Sequence, residues 1–163
     1  VSVDFGPLGA WQGEGYLDSN WGREPLEAGF RHWDWSRARC RDGTLIHYDV
    51  TRRDGSREVL SLRIGPDGTH HSLEPPPCRP LGRAGWGVHR TPRGAAGLKL
   101  LRGLEDTPFY TRSTLTDELD DQPLVVMHES LSLDRFRQAW VRTLLPFRMP
   151  RWTGRAATQA RRG

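Results

Sequence analysis

Apolar and polar positions in this chain alternate over short runs, and the runs are cut at close intervals by turn residues. Asp42-Gly43, Asp54-Gly55, Pro66-Asp67-Gly68, Pro75-Pro76-Pro77, Pro92-Arg93-Gly94 and Asp120-Asp121 mark the breaks. Between them lie stretches rich in β-branched and aromatic side chains, the spacing of an antiparallel meander that closes into a barrel or sandwich. The pattern predicts strands near 11–18, 28–39, 44–52, 57–64, 68–73, 85–91, 96–103, 108–118 and 123–131. From Ser132 the period changes from two to between three and four. Leu133, Phe136, Trp140, Thr143, Leu144 and Phe147 fall on one side, and Arg135, Gln138 and Arg142 on the other. This predicts one amphipathic helix over about 133–145, stopped by Pro146, that closes the barrel. Its Arg-rich flanks beside Trp and Phe equally suit a helix leaning on a lipid surface.

At 163 residues the chain is long enough for one domain with a real core. We expect that domain to cover residues 1–150, followed by a basic, disordered tail over 151–163. The chain starts at Val1 and is read as an internal part of a longer product. The high counts of Gly (18) and Pro (12) agree with many short elements joined by turns. The net charge of +4 rests almost wholly on arginine, Lys99 being the single lysine. The arginines are spread through every segment, which argues against a nucleic-acid surface. No apolar run approaches the roughly 20 residues of a membrane span. Cys40 and Cys78 lack CxxC spacing and follow no secretory leader, so free thiols in a cytoplasmic protein are expected, with peripheral membrane contact as the variant.

Two-residue turns at Asp42-Gly43 and Asp54-Gly55 allow cross-strand partners to be written down. Asp49 then faces Ser36 and Leu60, and His47 faces Ala38 and Leu62. Leu45, His47, Asp49, Leu60, Leu62 and Ile64 share one side of the sheet. An aspartate on such an apolar face would hold a proton near neutral pH, because burial disfavours its charged form. A self-satisfied buried Asp–His pair is the plainer alternative. Trp33, Trp35, Ile46, Tyr48 and Val50 occupy the opposite face, an apolar surface that calls for cover. Other chemistry is thin. His70 and His71 point to opposite faces. His32 and Asp34 lack a third ligand, and His128 beside Ser130 and Ser132 has no nucleophile elbow. Neither a phosphate-binding glycine loop nor a metal site is read, and no cofactor is expected.

The segments "GEGYLDSNWGREPLEAGFRHWDWSR", "GTLIHYDVTRRDG", "LSLRIGPDG", "TPFYTRS" and "MHESLSLDRF…LLPFRMPR" resemble the carotenoid 1,2-hydratase (hydroxyneurosporene synthase) family over about Trp11 to Arg151. The last is the most specific. The resemblance implies a mainly β, antiparallel lipocalin-like β-barrel that corresponds to the second half of the family's length, its lipocalin-like N-terminal half being the expected partner. It also implies cofactor-independent addition of water to the terminal C1=C2 bond of an acyclic carotenoid such as lycopene or neurosporene. An acid protonates the alkene, and water captures the tertiary cation. Carried over by position, Asp49 is the proton donor and Trp21 the residue whose indole face stabilises the cation. His47 would position Asp49 or water, and Ser19, Asn20, Trp35, Leu60 and Leu62 would contact the substrate. The sequence departs from the family pattern at Ser19, where the motif has histidine, and at His47, where it has tyrosine. Two alternatives stand beside this reading: a lipocalin-like carrier of hydrophobic ligands without catalysis, and an inactive remnant that needs its N-terminal half.

Overall fold

A computed structural model describes residues 1–13, 15, 17, 19–119 and 122–147; the expected tail at 151–163 and parts of the first expected strand lie outside them. The chain is mainly β. A short pair, β1 (Ser2–Asp4) with β2 (Ala10–Gln12), precedes a one-turn helix α1 (Leu26–Gly29). Seven strands then build one antiparallel sheet: β3 (Phe30–Cys40), β4 (Gly43–Arg52), β5 (Arg57–Ile64), β6 (His70–Ser72), β7 (Lys99–Asp106), β8 (Tyr110–Leu119) and β9 (Gln122–Ser132). Their order across the sheet is β6-β5-β4-β3-β9-β8-β7. Each neighbour is a hairpin partner except β3 and β9, which join the first and second meanders at the centre.

The sheet is open: among the described residues β6 and β7 do not pair, and no barrel closes. The reason lies in the segment 73–98. It leaves one edge strand and must reach the other, so it crosses a sheet roughly 30 Å wide at the usual strand spacing. It does so over one face. The expected strand at 85–91 is part of this crossing, which folds back on itself through single bridges, Cys78 to Arg93 and Arg83 to His89. Pro75, Pro76 and Pro77 near its start, with Pro80 and Pro92 further on, remove ladder donors, so no regular strand forms there.

The covered face is divided along the strands. Towards one end it is apolar, with Ala38, Cys40, Leu45, Leu115, Leu124 and Val126 packed around Leu98 of the crossing segment. Towards the other end it is polar, with Asp34, Ser36, Asp49, Ser61, Ser113, His128 and Ser130 all buried. Cys40 and Cys78 are both unbridged.

The single expected helix is two short ones, α2 (Leu133–Phe136) and α3 (Ala139–Leu144). Ser132 caps the first by accepting from the Arg135 N–H, and Gln138 has an extended backbone that breaks the run. The break turns the second helix, so Val141 is buried at 1% exposure while Trp140 stands 45% exposed.

Register differs from the expectation at both hairpins, for different reasons. In β3–β4 the turn is Arg41-Asp42, and Gly43 pairs with Cys40; this two-residue slide leaves every side chain on its expected face. In β4–β5 the loop has three residues, Arg53, Asp54 and Gly55, with Gly55 at φ 88 and Asp54 accepting from the Ser56 N–H. That is the bulged three-residue hairpin, and its one extra residue turns β5 over. Leu60 and Leu62 therefore pair with Tyr48 and Ile46, not with Asp49 and His47.

Gly43 sits in a left-handed backbone conformation at φ 149, and a Cβ there would strike the Ile64 carbonyl. Gly68 shares the left-handed conformation, but the space around it is open. Gly43→Ala is thus expected to cost about 2 kcal/mol or more, against about 1 kcal/mol for Gly68→Ala, in urea unfolding.

Candidate functional site

The sheet places the residues singled out from the sequence on opposite sides. Asp49 and His47 point to the covered face. Asn20, Trp21, Trp35, Leu60 and Leu62 line an open groove of ≈ 720 Å³ on the other. Ser19 is exposed and is not among the groove's lining residues.

On the covered face Asp49 is 8% exposed and held by Arg93 of the crossing segment. The guanidinium engages both carboxylate oxygens, Nε to Oδ2 at 2.5 Å and Nη2 to Oδ1 at 2.9 Å, while Nη1 donates to the Pro76 carbonyl. Hydrogen bonding to Asp49 raises the Arg93 pKa further above its ordinary value. Such a fork-to-fork pair fixes the orientation of the carboxylate through two parallel charge-assisted hydrogen bonds. The leucine-walled setting expected for Asp49 is absent because β5 is turned over. Val59 and Asp34 stand opposite it instead.

His47 is half-buried, and its Nδ1 lies 2.8 Å from the Ser61 hydroxyl. Burial first, then the positive charge of Arg93, pushes its pKa below the ordinary histidine value; Asp117 and Asp49 pull the other way.

Beside this pair runs a buried polar chain. His128 is 0% exposed, with Ser36 Oγ 2.9 Å from Nδ1 and Ser130 Oγ 3.0 Å from Nε2. Ser130 Oγ donates to Asp34 at 2.5 Å. Thr91 Oγ1 of the crossing segment donates to the same carboxylate at 2.5 Å, and His32 Nε2 lies 2.9 Å from it. Burial alone would raise the Asp34 pKa, but hydrogen bonds from His128 and His32 and their charge outweigh it and hold the carboxyl well below the usual range. Along the sequence these residues stand only as separate pairs, His32 with Asp34 and His128 with Ser130. The available signal is the i, i+2 repeat of Asp34/Ser36 and His128/Ser130, which places four polar side chains on one face of two central strands. Arg93 left no signal, since its role comes from the crossing.

The groove is built by β3, β4 and β5. Trp33 and Trp35 alternate on β3, and Tyr48 stands opposite Trp35, with Ile46, Leu60 and Leu62 beyond. Trp33 stacks at a tilt on Tyr48 with centroids 6.1 Å apart and meets Phe30 edge-on at 6.5 Å. The Arg52 guanidinium covers the Phe30 ring at 5.5 Å and pairs with Glu58 at the rim. Trp21 lies at the rim with 92% of its surface exposed. An apolar trough with exposed π faces suits an elongated hydrophobic molecule, and a cation formed along it.

The family model described as "Carotenoid hydratase CrtC" matches residues 1–158. The chain belongs to the carotenoid hydratase family. Its relatives include an acyclic carotenoid 1,2-hydratase of Thiocapsa roseopersicina, 46% identical over 158 residues, which covers 94% of this chain and 39% of that protein. The Rhodobacter capsulatus protein of the same name is 38% identical over 157 residues, covering 94% of this chain and 56% of that one. The Rubrivivax gelatinosus protein, again of that name, is 44% identical over 149 residues, with coverages of 89% and 36%. The chain thus spans between about a third and just over half of the length of these family members. No solved structure matches it. Among the described residues no helix is long and apolar enough to cross a membrane, and no group of three His, Cys, Asp or Glu side chains is placed to hold a metal.

Two outcomes follow from the covered face. Asp49→Asn leaves the half-buried Arg93 without its counter-ion, and urea unfolding should show a loss of about 2 kcal/mol, mostly regained in Asp49→Asn/Arg93→Met. Asp34 has a folded pKa below its unfolded value of about 3.9, so its contribution is complete above that pH and is lost as pH falls through the folded value. His47 also has a depressed folded pKa. It takes up a proton more readily when unfolded, so stability begins to fall below about pH 6.5. His47→Asn should flatten the stability profile between about pH 6.5 and 5 and leave the loss below about pH 4 in place.

Proposed function

We propose that this chain, as part of a protein of the family's full length, carries out cofactor-independent addition of water to the terminal C1=C2 bond of an acyclic carotenoid. The observation that carries the reading is the aromatic groove in a chain of this family. A polyene laid across Trp33, Tyr48 and Trp35 buries its length against apolar side chains, while Trp21 and Asn20 at the rim meet its end. Protonation at C2 leaves a tertiary cation at C1, and the negative faces of the indole rings stabilise it. Water then forms the C1–O bond and gives one of its protons to the conjugate base of the acid, which restores the acid and leaves the tertiary alcohol.

The family's lipocalin-like closure belongs to this proposal. The open groove face would meet the remaining length of the longer protein, giving the enclosed, water-poor space that a carbocation needs. An arginine-bordered apolar surface of this kind also suits contact with the membrane in which a carotenoid is dissolved.

The donor implied by the resemblance is Asp49, with His47 beside it. For that role Arg93 must leave the carboxylate, and the olefin end must reach the face beneath 73–98. The separation of Asp49 from the groove by the β4 backbone favours a second reading, in which the groove binds a hydrophobic ligand without chemistry.

Incubating the full-length protein with lycopene separates the two. Hydration adds one water to the mass and yields a more polar, tertiary alcohol; binding alone quenches tryptophan fluorescence without new product. Asp49→Asn, assayed where circular dichroism shows it folded, is expected to lose turnover by about 100-fold or more if Asp49 donates the proton. Turnover at the unmodified level would move proton transfer to the groove side of the sheet.

A further inference from the structure

Charge is divided unevenly along the chain. Residues 133–163 hold eight arginines and a single acidic residue, Asp134, whereas residues 1–132 hold 16 basic and 19 acidic side chains. The net positive charge therefore belongs wholly to the helical end and the sequence after it. Part of it is neutralised within the fold, where Arg142 donates to Glu27 of α1 at 2.9 Å. Asp134, the one acidic side chain of this stretch, is taken by Arg31 and Arg53 from outside it. Arg137 is exposed, and Arg148, Arg151, Arg155, Arg161 and Arg162 follow in the sequence with no carboxylate among them.

An apolar strip lies on the same end. Trp140, Leu144 and Phe147 recur at i, i+4 and i+7 and so share one side of the α3 spiral, which the Phe147 N–H extends by donating to the Leu144 carbonyl at 2.9 Å. Trp140 is 45% exposed, Leu145 49% and Phe147 68%. Pro108 and Phe109, between β7 and β8, join Val141, Leu144 and Phe147 around an apolar crevice of ≈ 240 Å³. The indole N–H of Trp140 is satisfied by Gln138 Oε1 at 2.6 Å, so the ring can enter an apolar medium without leaving a donor unpaired.

Apolar side chains beside an excess of arginine match a bilayer that is anionic at its surface and apolar beneath. The strip is also joined to the groove through α1. Leu26 lines the groove, and the adjoining Glu27 is the acceptor for Arg142 of α3. A molecule seated by its helical end thus brings the Leu26 and Phe30 end of the groove close to the lipid.

We propose that the helical end, through Trp140, Leu144, Leu145 and Phe147 and the arginines around them, docks on an anionic lipid bilayer and places the groove beside it. The docking stands on the charge and exposure of this end. Passage of a polyene from the lipid into the groove rests, in addition, on the hydratase reading.

The test uses the full-length protein with vesicles of phosphatidylcholine alone and of a roughly two-to-one mixture with phosphatidylglycerol. Binding is read by co-sedimentation and by quenching of tryptophan fluorescence with lipids brominated in the acyl chain. It should be about tenfold or more tighter on the anionic vesicles and weaken as salt is raised, because salt screens the attraction of arginine to the headgroups. Trp140→Ser/Phe147→Ser, with circular dichroism unchanged, should weaken it by about tenfold or more and lower the bromolipid quenching. Val125→Ser on β9, 62% exposed but away from this end, should leave it as it is. Binding by the double variant within about twofold of the unmodified protein overturns the assignment, as does equal binding to neutral and anionic vesicles. An unmodified protein that binds no vesicles overturns it as well; if the double variant then loses a dimer in sedimentation velocity, the strip joins two copies of the chain. An unmodified protein that docks on anionic vesicles and forms no alcohol from lycopene in detergent micelles overturns the hydratase reading and leaves the docking in place.

Discussion

The two edge strands of the sheet, β6 and β7, follow one another in the chain, and the segment between them has to cross the full width of five other strands. Everything else about the molecule is arranged around that crossing. It lies on one face and is tied there by carboxylates rising from the strands. Asp49 grips Arg93, Asp34 accepts from Thr91, Asp117 accepts from the Ala95 N–H, and Asp106 accepts from the Trp86 N–H. A backbone without regular ladder bonds cannot stay buried unless its donors find partners; Asp34, Asp117 and Asp106 accept from the N–H groups of Thr91, Ala95 and Trp86, and carbonyls within the segment accept from others, such as the Arg79 and Leu81 N–H groups. Leu98 then adds the apolar seal at the other end of the same face.

That arrangement sets what each face can do. Burying charged groups is tolerable only when they are paired and hydrogen-bonded, and the polar half of the covered face meets the condition through the Asp49–Arg93 fork and the His128–Ser130–Asp34 chain. A face so fully engaged has little left to offer a hydrophobic ligand. The opposite face has no crossing segment over β3–β5, so its tryptophans and leucines remain as an open groove. An exposed apolar surface of this size on a sheet is where binding is expected.

The helical end follows the same logic on a smaller scale. Arg135 at the start of α2 donates to the Pro108 and Trp86 carbonyls, joining the end of β9 to the crossing segment. Asp134 beside it takes Arg31 and Arg53. These ties set where α2 ends, and Gln138 then redirects the chain, which is why Val141 and not Trp140 faces inward.

The sequence by itself determined the element types and most of their extents, because a period of two and Asp-Gly punctuation are local properties. It also determined that Trp33, Trp35, Ile46, Tyr48 and Val50 share one face, since a strand's alternation needs no knowledge of its neighbours. What only the tertiary structure decided was pairing and cover. Whether the Asp54-Gly55 hairpin has two or three loop residues is a single-residue matter that local pattern leaves open, yet it moved Leu60 and Leu62 to the side away from Asp49. The partner of Asp49 lies 44 residues away on an irregular segment with no periodicity to read. Contacts of that kind arise from the path the chain takes between distant strands, and no run of neighbouring residues records it.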